Sequence, residues 1–392
     1  MPACVTPVTR LRLADVFARS VDDVLRCRPF SFPQARVLRR VASCRTPALG
    51  GHRVVCSACG HAESRYHSCR DRHCPTCQAI PQARWIAQRE RRVLPIGHFQ
   101  VVFTLPGQLR PFAVRYPRVV YDLLFRAASD VLLTLGREVL GGRLGLTVVL
   151  HTWTRELLLH PHVHCIVTSG ALSEDAESWT EARKGYLFSI RRMAAMFRAR
   201  LLTPLTAMLD DGALQCPPGT RRTALLRRLW RARWVVYAGR PFGKVAHLVR
   251  YLGRYTHRVA LSDHRVVRID SDGLAFKARE GKVCWLPDEE FVARFARHVL
   301  PFGLRKIRHY GLYAPSSIAR LLPAARALVS EPEQSPEVEV EVEADSTSVD
   351  PMETLRLLTG FDPRLCPACG DAVMEPCPDY RARDGPGTAG RP

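Results

Sequence analysis

Apolar residues recur at spacings of three and four through "VFARSVDDVLRC" and "FPQARVLRRVA", which predicts helices across residues 11–42. The same period predicts a long amphipathic helix over 117–140 and further helices over 189–210, 243–258 and 288–300. Elsewhere the pattern becomes extended. "HFQVVFTLP" reads as a strand, and "LGLTVVLHTWTRELLLHPHVHCIVTSG" as two strands joined by a turn. "HRVVRIDSDGLAFKAREGKVCWL" breaks into short strands with turn signals at Asp272-Gly273 and Glu280-Gly281. Residues 44–80 are rich in Cys, His and Arg and poor in aliphatics, so a metal is needed to fold them. A basic helix, "IPQARWIAQRERRVLPIG", follows, and an arginine-heavy stretch, "TRRTALLRRLWRARWVVYAG", comes later. From Ser330 to about Asp350 the chain is acidic and core-poor, a solvated linker.

These patterns predict an α+β chain in five parts. They are an N-terminal helical segment (1–43), a zinc-binding module (44–95), a catalytic domain (96–315), a helix with the acidic linker (316–355), and a tail carrying a Cys knuckle (356–392). Composition narrows the class. The apolar share of 46% argues against a disordered chain, and no apolar run has the length of a membrane span. "MPACVTPVTRLRLADVFARS" lacks the apolar stretch and cleavage site of a secretory signal, so a cytoplasmic protein with no membrane partner is expected. Residues 1–330 hold 53 Lys and Arg against 23 Asp and Glu, a net of +30. A folded body that basic points to a polyanion, with DNA or RNA the leading candidate.

Fourteen cysteines without a secretion signal argue for metal or redox use. Cys56-x-x-Cys59 and Cys74-x-x-Cys77, fourteen residues apart, supply the four thiolates that Zn²⁺ takes in a closed tetrahedral site. Cys44, His52, His61, Cys69 and His73 lie close by and leave room for a second zinc or a swapped ligand. Arg65, Arg70, Arg72 and His73, interleaved with the ligands, suggest contact with phosphate; a purely scaffolding zinc is the alternative. Cys366, Cys369 and Cys377 form half a ribbon plus one.

"LLLHPHVHCIVTSG" sets His160, His162 and His164 on one face of an extended chain, neighbours roughly 6.6 Å apart. Imidazoles of His162 and His164 can converge on one ion. A turn centred at Glu156–Leu157 puts His151 opposite His162, which favours His151 over Glu156 as third ligand. His160 is held in reserve, because Pro161 can turn it aside. Such a site suits Zn²⁺ for hydrolysis, or Mg²⁺ or Mn²⁺ against phosphate, and the basic charge leans toward phosphate.

"GKVAHLVRYLGRYTHRVALS" places Tyr251 and Tyr255 one helical turn apart on one face, with His247 a turn earlier. A phenol is a poor nucleophile at neutral pH unless a metal neutralises the charge that builds on the phosphoryl oxygens. Two tyrosines let one site hold a strand covalently while attacking another. Lys244, Arg250, Arg254 and Arg258 are candidate phosphate contacts beside them, or simply solvated helix charge.

The ordered set of Cys-rich module, "HTWTRELLLHPHVHCIVTSG", "YLGRYTHRVALSDHR" and "LRKIRHYGLYA" resembles rolling-circle transposases of the insertion-sequence-91 type, over about residues 30–315. These are two-tyrosine HUH endonucleases. The resemblance implies an antiparallel sheet backed by helices, with the histidine strand near its centre. It implies Mg²⁺ or Mn²⁺ at His162 and His164, and Tyr251 and Tyr255 as paired nucleophiles. It also implies a zinc module that helps bind DNA. The reaction implied is nicking of single-stranded DNA at element ends, giving a 5′-phosphotyrosine and a 3′-OH that primes replication. Target DNA and host replication machinery are then partners. Competing readings are a plasmid replication initiator or relaxase, a non-catalytic zinc-dependent DNA-binding protein, and a metal-dependent hydrolase.

Overall fold

The computed structural model describes residues 11–90, 92–242, 261–329, 352, 355–356, 362 and 364–377. α1 (Leu13–Cys27) buries Leu13, Val16, Phe17, Val21 and Val24 along one side. α2 (Phe32–Ala42) starts behind Ser31, whose N–H donates to Gln34 Oε1 at 2.9 Å, and has a proline in its first turn. β1 (Gly51–Cys56) and β2 (Ala62–Tyr66) form a hairpin, followed by α3 (Ala79–Glu90) and β3 (His98–Thr104). The short α4 (Arg110–Arg115) leads into α5 (Pro117–Leu140), whose end is set by Gly141 at φ +67 with its N–H on Gly136 O. β4 (Gly142–Arg143), β5 (Gly145–Trp153), β6 (Leu159–Thr168), β7 (Gly170–Ser173) and β8 (Trp179–Glu181) come next. Then follow α6 (Ile190–Asp210), α7 (Arg222–Arg231) and β9 (Val235–Ala238). β10 (Val266–Ile269), β11 (Gly273–Lys277), β12 (Val283–Pro287), α8 (Asp288–Ala296), β13 (Ile307–Gly311), α9 (Ile318–Leu328) and β14 (Met374–Pro376) complete the order.

The principal sheet runs β13-β5-β6-β3-β9, antiparallel at every pairing, with β6 in the middle. Strand alternation gives it two unlike faces. Val101, Phe103, Leu146, Val148, Leu150, Val163, Cys165 and Val167 join Phe125, Leu132 and Phe197 of α5 and α6 in the largest core. The other face carries His151, His162 and His164. This is the mixed helix-and-sheet architecture expected from the periodicity, and the histidine strand lies at the centre of the sheet, as the resemblance implied. Among the described residues no helix is long and apolar enough to cross a membrane.

A second core gathers α1, α2, α8 and the sheet β10-β11-β12. Arg19 fastens it, donating to Asp288 at 2.7 Å and to Gly273 O at 3.2 Å. Cys44, Cys69 and Cys74 lie inside this core, beside Phe17 and Leu38. So does Leu157, from the turn between β5 and β6. The thiol-rich loop therefore packs with residues 261–296 rather than standing apart from them.

"TRELL" lacks hairpin turn chemistry, and the structure shows what replaces it. The Thr154 hydroxyl accepts from the N–H groups of Glu156 and Leu158, and Leu157 adopts φ +63. That left-handed conformation costs a leucine roughly 1–2 kcal/mol, offset by burying the whole side chain. His298 secures the turn: its Nε2–H donates to Leu157 O, and its Nδ1 accepts from Thr152 Oγ1, both at 3.1 Å.

Burial lowers His298 from its ordinary value to about 4. His98, bonded to Ile96 O and to the Tyr313 hydroxyl, is likewise lowered to about 4 by burial. Both fold as neutral rings, whereas the unfolded chain binds protons there below about pH 6.5. Stability from these two groups is therefore intact above that pH and falls as pH drops toward 4. Between pH 7.5 and 5.5 the loss should be about 2–3 kcal/mol for the pair. Urea titrations at the two pH values measure it, and a midpoint that does not move would refute neutral burial.

Candidate functional site

The β5–β6 ladder pairs His151 with His162 and Val149 with His164, the register of a turn centred at Glu156–Leu157. Ring centroids lie 5.3 Å apart for His151–His162, 4.4 Å for His151–His164 and 5.0 Å for His162–His164. One nitrogen from each falls within 4.8 Å of the other two. His160 is 5.3 Å from His162, ring to ring, and is not part of that trio.

Neighbouring groups prepare these imidazoles as ligands. His162 Nδ1–H donates to His160 O at 2.7 Å, which leaves Nε2 for an ion. His164 Nδ1 lies 3.0 Å from the Gln100 amide. With that amide turned so that its oxygen accepts the Nδ1 proton, His164 also offers Nε2. Burial lowers His162 to about 4; burial and then the adjacent His162 lower His164 to about 3. Both rings are neutral at pH 7, the form a cation binds. The donor set fits a divalent ion with positions left over for water or phosphate oxygen.

Three side chains around this centre escape sequence reasoning. Gln100 belongs to β3 and reaches His164 across 64 residues. Its one signal is a polar residue amid the apolar run "HFQVVFT". Trp153 stacks on His151 at 5.3 Å, and Lys306 Nζ sits 4.8 Å from the Trp153 centroid. Burial, then Arg72, lowers Lys306 to about 7.

The cysteines correct the sequence reading. Cys56, Cys59, Cys74 and Cys77 do not meet at one point. One cluster is Cys44, Cys69, Cys74 and Cys77; the other is Cys56, Cys59, Cys366 and Cys369. The β1–β2 hairpin carries Cys56 and Cys59 to β14, while the loop after Tyr66 folds back on the end of α2, where Cys44 waits. Four thiolates at 2.3 Å from zinc stand about 3.8 Å from one another. The sulfurs of Cys69 and Cys77 are 3.7 Å apart. Hydrogen bonds among these thiols hold Cys44 below the ordinary thiol range and push Cys69 and Cys74 above it. A bound Zn²⁺ would resolve that conflict by taking all four as thiolates.

Two expected phosphate contacts are spent within the protein. Arg72 donates to Leu304 O at 2.6 Å and to Pro301 O at 3.0 Å. Buried His73 bonds Asp71 and accepts from Leu300 N–H at 3.1 Å. Arg65 donates to Glu63 at 2.8 Å, whereas Arg70 is exposed. His52 and His61 belong to neither thiol cluster, and Cys377 lies outside both. Tyr251, Tyr255, Lys244, Arg250, Arg254 and Arg258, with the helix expected over 243–258, lie outside the described residues.

Comparison with known proteins adds the following. A family model described as "Putative transposase" matches residues 145–320, which include the three histidines. A second, "Transposase zinc-binding domain", matches residues 16–105. The chain is 37% identical over 379 residues to "Putative transposase y4qJ" of Sinorhizobium fredii (strain NBRC 101917 / NGR234), covering 92% of this chain and 94% of the relative. It is 27% identical over 302 residues to "Transposase for insertion sequence element IS801" of Pseudomonas savastanoi pv. phaseolicola, covering 74% and 72%. No solved structure matches.

Proposed function

This chain belongs to the insertion-sequence-91 family of transposases, and from that premise we propose that it cuts single-stranded DNA at element ends through a tyrosine nucleophile. The observation that carries the reading is the convergence of three imidazoles on one face of the principal sheet. His151, His162 and His164 would hold Mg²⁺ or Mn²⁺ there. When bound, the ion neutralises charge on the phosphoryl oxygens of the scissile phosphodiester.

The protein's own groups perform the rest. His160 O and Gln100 fix the rings of His162 and His164, so the ligand geometry exists before DNA arrives. The phenolic oxygen of Tyr251 or Tyr255 attacks phosphorus as the bond to the 3′ oxygen breaks. The phenol's proton is passed on and the leaving oxygen ends as a 3′-OH. The 5′ phosphate stays on the tyrosine, which conserves the bond for a later strand transfer. The second tyrosine then supplies the attack on another strand. A body of net charge +30 over residues 1–330 draws the polyanion in, so affinity for single strands should fall steeply with salt.

Incubating the full chain with single-stranded oligonucleotides spanning the element's ends and Mn²⁺ should yield a covalent adduct. Mass spectrometry of its peptides should place the DNA on Tyr251 or Tyr255. An adduct undiminished in Tyr251→Phe/Tyr255→Phe, or none in wild type, would sink the reading.

A further inference from the structure

We infer that the C-terminal segment completes a second structural zinc site, in which Cys56 and Cys59 are joined by Cys366 and Cys369. Two of these pairs meet across 313 and 307 residues of chain: Cys56 with Cys369 at 3.7 Å and Cys59 with Cys366 at 3.6 Å between sulfurs. Those separations match the edge of a zinc tetrathiolate, about 3.8 Å. They are well beyond a disulfide bond of about 2.05 Å. All four sulfurs lie within 4.8 Å of one another.

The two halves are built alike. "CSACG" at 56–60 and "CPACG" at 366–370 share the spacing, the alanine and the closing glycine. Gly60 and Gly370 adopt φ +71 and +78, and their N–H groups donate to Cys56 O at 3.0 Å and Cys366 O at 2.9 Å. Nothing crowds either Cα, so it is the left-handed backbone that calls for glycine. Ala368 N–H also points at Cys366 Sγ, 3.4 Å away, as expected for a thiolate acceptor. "CPTCQ" at 74–78 has no such glycine and takes Cys44 and Cys69 as partners instead.

Among the described residues, little besides metal is available to hold this junction. β14 adds to β1 with Cys56 opposite Met374, and Cys377 N–H donates to Arg53 O at 2.9 Å. Among the described residues the local core is Val54, Cys56, Cys366 and Met374, with Cys369 and Ala372 against it. So small a core does not order a segment without a cross-link. Four thiolates also fill the tetrahedron, so this ion has no position for water or substrate and acts as a clasp, not a catalyst. The clasp fastens residues 366–377 to the N-terminal hairpin. It stands whatever the histidine centre does.

Native mass spectrometry of the full chain counts the zinc ions. Cys366→Ser/Cys369→Ser should carry one zinc fewer than wild type, and Cys377→Ser the same number as wild type. An unchanged count in the double variant overturns the clasp. Thiol footprinting of zinc-loaded wild type decides the matter even if that variant does not fold. Cys366 and Cys369 should alkylate about tenfold or more slowly than exposed Cys27, and chelation should expose them together with Cys56 and Cys59. Labelling at the rate of Cys27 before chelation also overturns it.

Discussion

Replacing His164 with alanine should slow metal-dependent adduct formation by about 10³-fold or more, while the fold survives. His164 stands next to both partners, 4.4 Å from His151 and 5.0 Å from His162 between ring centroids. Its loss removes one ligand of three and the ring that Gln100 contacts. A metal that neutralises developing phosphoryl charge is worth several kcal/mol, and about 4 kcal/mol corresponds to the stated factor. The ring is a desolvated base rather than part of the main core, so stability should change by no more than about 1 kcal/mol. His151→Ala should behave the same way. His160→Ala should keep the cation, because its ring lies outside the trio and its contribution to His162 is a backbone carbonyl. Manganese titration by calorimetry and single-turnover adduct assays separate these cases. A His164→Ala chain that forms adduct at the wild-type rate, or a His160→Ala chain that loses the ion, would overturn the assignment.

What the chain's pattern revealed follows from the range of the interactions involved. Helix 117–140 is a local matter of period, a proline at one end and a glycine at the other, and the structure has it over those same residues. The pairing of His151 with His162 was also within reach, because a hairpin register follows from where its turn is centred. How that turn is held was not legible. Thr154, Leu157 and His298 stabilise it together, and His298 comes from 141 residues away. The thiol pairings failed for a related reason. Nearness in sequence suggested Cys56 with Cys74, yet the choice of partner depends on where β1 and β14 run. A local cue was present, since only the first and last knuckles read "C-x-A-C-G". Gln100 comes to the histidine centre from β3, and Lys306, just ahead of β13, reaches Trp153 beside it; no spacing rule links either to the histidines.

The largest structural effect should come from Cys74→Ser. Structural zinc in small thiolate modules contributes on the order of 10 kcal/mol of folding free energy, comparable to the whole stability of a domain. Here the cluster is not peripheral: Cys44, Cys69 and Cys74 share a core with Phe17, Leu38, Phe291 and Leu157. Removing one thiolate leaves three crowded sulfurs among apolar side chains, so α1, α2 and the adjoining sheet should loosen together. The consequence should reach the histidines. Leu157 anchors the turn between β5 and β6 in that core, and Arg72 and His73 of the same loop grip the backbone of residues 300–304, just ahead of Lys306. Hydrogen exchange should therefore report lost protection in residues 13–42, 69–77 and 154–158, while β3 and α5, which belong to the other core, stay protected. Manganese affinity at the histidine centre should fall along with it, although no histidine has changed. If Cys74→Ser retains wild-type protection in α1 and α2 and full manganese affinity, the buried thiols carry no structural metal and the two sites are uncoupled.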